Sequence, residues 1–146
     1  MIDTGLVEKK LAFIETCLRE LSELVELEAL DSDIREQRFA QHTLQMALQS
    51  ALDVSSHIVS ARRLGEPETN RELFGLLAAD GWVSVDLLPT LKAMAGLRKL
   101  LVHGYQQVDN SVLRDVIENR LQDLTRFTTA VRERVASVED QGGPVS

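Results

Sequence analysis

Apolar residues along this chain recur with the spacing of helix faces. Val7, Leu11, Ile14, Leu18, Leu21 and Val25 alternate four and three apart, a narrow stripe suited to packing against a second helix. Leu27 and Leu30 extend the stripe, and Asp31-Ser32-Asp33 breaks it. Asp33 followed by Glu36 has the form of a capping box and opens a second helix, predicted to run to about Arg63. Ala40, Ala47, Ala51, Val54, Ile58 and Ala61 make its inner stripe. Small residues let a neighbour approach closely, so this helix is expected to be central. Gly65 and Pro67 end it, because glycine favours the C-terminal turn and proline cannot continue it. Thr69 and Glu72 form another capping box before a short helix through Leu73, Phe74, Leu76 and Leu77, which Gly81 stops. A fourth helix begins near Ser84, carries Pro89 in an early turn, points Leu91, Met94, Leu97 and Leu101 inward, and ends around Gly104. After a turn over residues 106–110, the last helix runs from about 111 to 135. Leu113, Ile117, Leu121, Leu124, Val131 and Val135 share one of its faces.

Three long helices and two shorter ones joined by brief connections specify an all-α fold, an up-and-down antiparallel bundle of about five helices. No alternating strand pattern competes. A single domain is expected over 1–138, with 139–146 a flexible C-terminal tail. At 146 residues the chain can bury a core without staples, and 44% hydrophobic with 27% charged residues excludes bulk disorder. No apolar run approaches the ~20 residues of a membrane span. The N-terminal stretch lacks the basic start and apolar core of a secretory signal. Cys17 is the sole cysteine, so no internal disulfide can form. A cytoplasmic protein with no membrane partner is expected.

Charge narrows the picture. A net charge of −7 argues against a broad nucleic-acid face, which needs basic surface. Yet residues 87–108 contain no acidic side chain and carry Lys92, Arg98 and Lys99. Such a stretch suits a local anion site, although an ordinary solvated helix face would look the same. Phosphate-binding loops, dinucleotide fingerprints, zinc-protease motifs and paired cysteines are all missing. Asp53 and His57, four apart, could supply half a metal site, but a metal needs more ligands than that, so neither metal nor cofactor is expected.

One constellation remains, Arg98-Lys-Leu-Leu-Val-His103-Gly-Tyr105, an R-x4-H-x-Y pattern at the end of the fourth helix. The helix dipole favours a cation there. Arg98 and His103 stand about 140° apart on an ideal helix. To share a site they need the helix to fray at Gly104, the long arginine to reach around, or a second subunit to complete the cluster. Alone, each residue has a bland role: His103 as a helix cap, Arg98 as an ion-pair partner, Tyr105 as a ring packed under the turn.

The segment Met94-Ala-Gly-Leu-Arg-Lys-Leu-Leu-Val-His-Gly-Tyr-Gln-Gln-Val-Asp109 resembles the hallmark of the HepT proteins of the HEPN superfamily. Leu48-Gln-Ser-Ala-Leu-Asp53-Val-Ser-Ser-His57-Ile-Val is similar to that family's second helix, and Gly65-Glu-Pro67 with Glu72-Leu-Phe74 to the connection that follows. The likeness extends over about 39–127. It implies a HEPN-type bundle and a homodimeric, metal-independent endoribonuclease, the toxin of a HEPN/MNT toxin–antitoxin pair. Arg98 and His103 match the family's catalytic pair. Tyr105 matches the tyrosine to which the partner, an MntA-type nucleotidyltransferase antitoxin, transfers AMP. Many HEPN ribonucleases carry a polar residue, often asparagine, directly after the arginine; here Lys99 stands there and could bind phosphate as a point charge.

Cleavage by such a site is chemically reasonable. The 2′-OH of RNA attacks the adjacent phosphorus once deprotonated, and the departing 5′-oxygen takes a proton. An imidazole, with an ordinary pKa of about 6.5, can do either transfer. A guanidinium fork stabilises the charge that develops on phosphorus. Two other readings stay open: a non-catalytic helical module that binds a nucleotidyltransferase or nucleotides, and a plain structural bundle.

Overall fold

The computed structural model describes residues 1–103 and 108–141. Its helices are α1 (Thr4–Leu24), α2 (Ile34–Ala61), α3 (Asn70–Ala79), α4 (Leu88–His103), α5 (Asn110–Asp115) and α6 (Leu121–Gln141). A π-helical turn, Val116–Arg120, joins α5 to α6 without a break, so the described residues form five helical bodies. No strand occurs among the described residues. None of the described helices is long and apolar enough to cross a membrane.

α2 lies at the centre, touching α1, α3, α4 and α5, while α6 packs along α1 and α3 packs on α4. The small residues Ala40, Ala47 and Ala51 are buried on it, as are Val54 and Ile58, whereas Ala61 is only half-buried. Buried leucines, isoleucines and valines from every helix join one continuous core, each worth roughly 1.5–3 kcal/mol of transfer free energy. Phe74 of α3 meets Phe127 of α6 edge-on at 6.0 Å. Trp82 is buried with its indole N–H donating to the Asp80 carboxylate at 3.0 Å.

The helix boundaries follow identifiable caps. Asp3 caps α1 by accepting from the Leu6 N–H, and its own N–H donates to His57 Nε2 at 2.8 Å. Asp53 accepts from Lys10 at 3.1 Å and from Gln49 at 2.8 Å. Asp53 and His57 thus fasten α1 to α2, and no cluster of three or more metal-binding side chains is present among the described residues. α1 stops at Leu24, so Val25 leaves the helical stripe in extended conformation. Asp33 does cap α2, accepting from the Arg35 N–H. Glu36 does not close the box; its carboxylate takes the Glu26 N–H at 3.0 Å and holds the α1–α2 connection. α2 ends in a Schellman motif with Arg63 in the left-handed region (φ 54°), the Leu64 N–H reaching back to the Val59 carbonyl, and Gly65 follows, also at positive φ (147°). Gly81 ends α3 in the same way at φ 80°, with the Trp82 N–H on the Leu77 carbonyl.

A short 3-10 turn, Val85–Leu87, leads into α4, and Pro89 sits at its second position, where no backbone bond is lost. Asn110 and Arg114 of α5 bind the Leu30 and Leu27 carbonyls and the Asp31 carboxylate, tying the last rod to the α1–α2 connection. The last rod continues to Gln141, six residues beyond the 135 that the stripe predicts. Val138 extends the four–three spacing of Val131 and Val135 and packs against the core, which carries the helix onward. Residues 142–146, most of the expected tail, lie outside the described residues.

Candidate functional site

A concavity of about 820 Å³ opens between the N-terminal end of α3 and the outer side of α4. Its walls include Ser56 of α2, Pro67 and Glu68 of the α2–α3 connection, Thr69, Asn70 and Arg71 at the head of α3, and Gly96, Arg98, Lys99 and His103 of α4. The sequence-predicted residues Arg98, Lys99 and His103 therefore border one cleft. Tyr105, together with Gly104, lies outside the described residues.

Local sequence explains how each wall is set. Thr69 caps α3 by accepting from the Glu72 N–H at 3.3 Å, and the Glu72 carboxylate returns to the Glu68 N–H. This closed loop of capping bonds fixes the connection that forms one rim. On the other rim, α4 buries Leu91, Met94, Ala95, Leu97 and Leu101, which locks its rotation about its axis. That rotation leaves Gly96, Lys99 and His103 within about 60° of one another on the open side. Arg98 projects about 140° from His103 and reaches the same cleft along its length, which is how an arginine two-fifths of a turn away can serve it. His103 is the basic residue of the last turn of α4, where exposed carbonyls favour positive charge.

The cleft is positive within an acidic protein. Three permanent cations, Arg71, Arg98 and Lys99, face one carboxylate, Glu68. None of the three cations has an ion-pair or hydrogen-bond partner among the described residues. Arg98 is half-buried, and its Nε is closed off from solvent with no acceptor. Arg98 also lines the cleft, and the parts of its guanidinium that face it are the donors a ligand anion could meet. His103 and Lys99 are exposed and accessible to a ligand.

Arg71, Asn70 and Ser56 escape a reading by motif, since they come from two other helices. One local signal was present. Arg71 is the second residue of α3, where the helix dipole disfavours a cation.

Known proteins resemble this chain along most of its length. The family model described as ribonuclease HepT-like matches residues 14–131. The mRNA nuclease HepT of Shewanella oneidensis is 27% identical over 128 residues, covering 87% of this chain and 96% of that protein. The tRNA nuclease HepT of Aphanizomenon flos-aquae is 26% identical over 142 residues, covering 96% and 97%. A solved structure of the tri-AMPylated Shewanella oneidensis HEPN toxin in complex with MNT antitoxin superposes with a TM-score of 0.82 at 27% identity, over 91% of this chain and 99% of that one.

Proposed function

Since this chain belongs to the HepT-like ribonuclease family, we propose that it is a toxin endoribonuclease that cuts RNA through Arg98 and His103 and is silenced by AMP transfer to Tyr105. The observation that carries the reading is the cleft in which Arg98, Lys99 and His103 meet, with the Arg98 guanidinium unpaired among the described residues. The relatives named as mRNA and tRNA nucleases support RNA as the substrate class. The complex of an AMPylated toxin with its MNT antitoxin supports a nucleotidyltransferase as partner and AMP transfer as the silencing step.

In the proposed reaction Arg98 grips two non-bridging oxygens of the scissile phosphate and stabilises the extra negative charge of the phosphorane. His103 performs a proton transfer, accepting the 2′-OH proton or donating to the departing 5′-oxygen. The products are a 2′,3′-cyclic phosphate and a 5′-hydroxyl, and no metal enters. A second copy of the chain, bringing its own Arg98 and His103, would let one imidazole act as base and the other as acid. Lys99 adds a point charge beside the phosphate. AMP on Tyr105 would place a bulky anion where the RNA phosphate binds, so silencing follows from sterics and like-charge repulsion. The setting is the cytosol.

The test is cleavage of total RNA in excess chelator by the parent, Arg98→Ala and His103→Ala. Chelator-insensitive cleavage by the parent and loss of about 10²–10⁴-fold in His103→Ala are expected. A His103→Ala protein as active as the parent overturns the assignment. Tight binding of the nucleotidyltransferase without RNA cleavage makes the chain an interaction module instead. Co-expression with the partner should add mass in units of AMP to a peptide containing Tyr105.

A further inference from the structure

We propose that Arg71 is a second phosphate-binding residue of the cleft, holding a phosphate of the RNA strand that neighbours the scissile one. The proposal rests on the ribonuclease reading above and assigns a subsite to it. The guanidinium of Arg71 lies directly on the backbone of α4. A Cβ at Gly96 would stand 2.8 Å from Arg71 Nη2, 3.8 Å from Cζ and 3.9 Å from Nε. With any larger residue at 96 the exposed end of the Arg71 side chain would have to move off this position.

Two locally unfavourable choices coincide at this contact. Gly96 occupies a helix interior, where it is worth up to about 1 kcal/mol less than alanine. Arg71 occupies the first turn of α3 against the dipole. No ion pair or hydrogen bond of Arg71 with a described residue offsets either. What the pair achieves is a cation beside Gly96 on the wall of the cleft.

That position identifies the ligand. Gly96 and His103 are seven residues apart, on nearly the same face of α4 and about 10 Å apart along its axis. Lys99 lies between them. Arg71, Lys99 and His103 thus form a track along the open side of α4, which Arg98 joins from its flank. With its guanidinium beside Gly96, about 10 Å along α4 from His103, Arg71 is placed to meet a phosphate of the strand other than the one at His103. Asn70, beside Arg71 on the same wall, adds neutral hydrogen-bonding groups and no opposing charge.

The experiment measures binding of a random-sequence 12-nucleotide RNA to the His103→Ala protein, with and without Arg71→Ala, over a range of salt concentrations. Arg71→Ala should weaken binding about tenfold at low salt. It should also flatten the plot of log affinity against log salt by about 0.7, the value for one single-strand phosphate contact. Arg71→Lys should restore the slope and only part of the affinity. Gly96→Ala keeps every charge, displaces the end of the Arg71 side chain and favours the helix, so it should weaken binding less than Arg71→Ala does, without lowering the melting temperature. Equal affinity and an unchanged slope in Arg71→Ala overturn the subsite while leaving the cleavage assay above untouched. A lowered melting temperature with unaltered RNA affinity makes Arg71 a packing residue only. Failure of the His103→Ala parent to bind the RNA at all overturns the subsite and the reading beneath it.

Discussion

Arg132 and Arg98 are both arginines on long helices of one bundle, and their surroundings are opposite. Arg132 of α6 spends its donors on two carboxylates of α1. It meets Glu8 at 3.0 Å through both Nε and Nη2, and Glu15 at 3.1 and 2.7 Å through Nη1 and Nη2. The pairing holds its guanidinium charged more firmly than usual and holds the Glu15 carboxyl below its ordinary range, the direct hydrogen bond being the main cause. Arg98 has no carboxylate, and its Nε is dry and unanswered among the described residues. Arg134 also has a dry Nε without an acceptor, but its guanidinium lies over the Trp82 ring at 5.7 Å, a face that attracts a cation. Where charge is met inside the chain it serves the fold. Where three cations are left unmet in one cleft, the answering charge is expected from outside.

Exchanging the two roles gives the largest predicted difference. Arg98→Ala should lower RNA cleavage by about 10²–10³-fold, the effect of removing one donor to a developing oxyanion, with a melting temperature close to the parent's. Arg132→Ala should do the reverse. It leaves Glu8 and Glu15 side by side without their cation, at side-chain exposures of 56% and 41%. Solvent screening limits the loss to about 1 kcal/mol, or roughly 2–4 °C in melting temperature for a chain of this size, with cleavage retained. Thermal melts and a cleavage assay on the same two proteins check both halves. If Arg98→Ala melts early and Arg132→Ala loses cleavage, paired and unpaired charge do not divide as argued.

Salt sharpens the contrast further. Raising sodium chloride should reduce RNA affinity steeply, because each phosphate contact releases counterions. Stability should change little, since pairs as exposed as those of Arg132 contribute only about 1 kcal/mol that salt can screen. Fluorescence anisotropy of a labelled RNA and melts at matched salt separate the two responses.

The same division decides what the sequence could convey. The core was legible because burial repeats at helix spacing: Leu11, Ile14, Val54, Leu91 and Leu113 all fall on the predicted stripes and are buried. The stripe failed where the backbone departs from 3.6 residues per turn. The π turn Val116–Arg120 fits an extra residue into one turn and so rotates less per residue, and Leu121 packs at the margin of the core while Leu124, Phe127 and Val131 take the centre. Glu36 has the spacing of a capping box, yet it caps a different segment, because the Glu26 N–H comes close only once the chain has folded back. In the cleft, the run from Arg98 to His103 was readable as a motif on one helix. Arg71 and Ser56 were not, because chain folding alone brings α2 and α3 to α4.

The smallest predicted effect is on acid stability. A carboxyl held below its ordinary value in the folded chain is deprotonated there at pH values where the unfolded chain has begun to take up protons. Its contribution is therefore present above the unfolded value, here 4.5 for Glu15, and is lost as pH falls below it. Three aspartates act in the same direction below 3.8. Asp31 is held down by Arg114 and Asn110, Asp86 by Ser84 and Arg126, and Asp109 by the Ser111 N–H that it caps. The parent should therefore lose stability progressively from about pH 4.5 downward. Arg132→Ala should start lower and lose less between pH 5 and 4, because the Glu15 part is already gone, a difference of a few tenths of a kcal/mol for so exposed a pair. Melting temperatures of both proteins at half-unit pH steps check this. Parallel curves through that window would mean that the Arg132 pairing adds nothing to the fold beyond what the apolar packing of α1 on α6 already supplies.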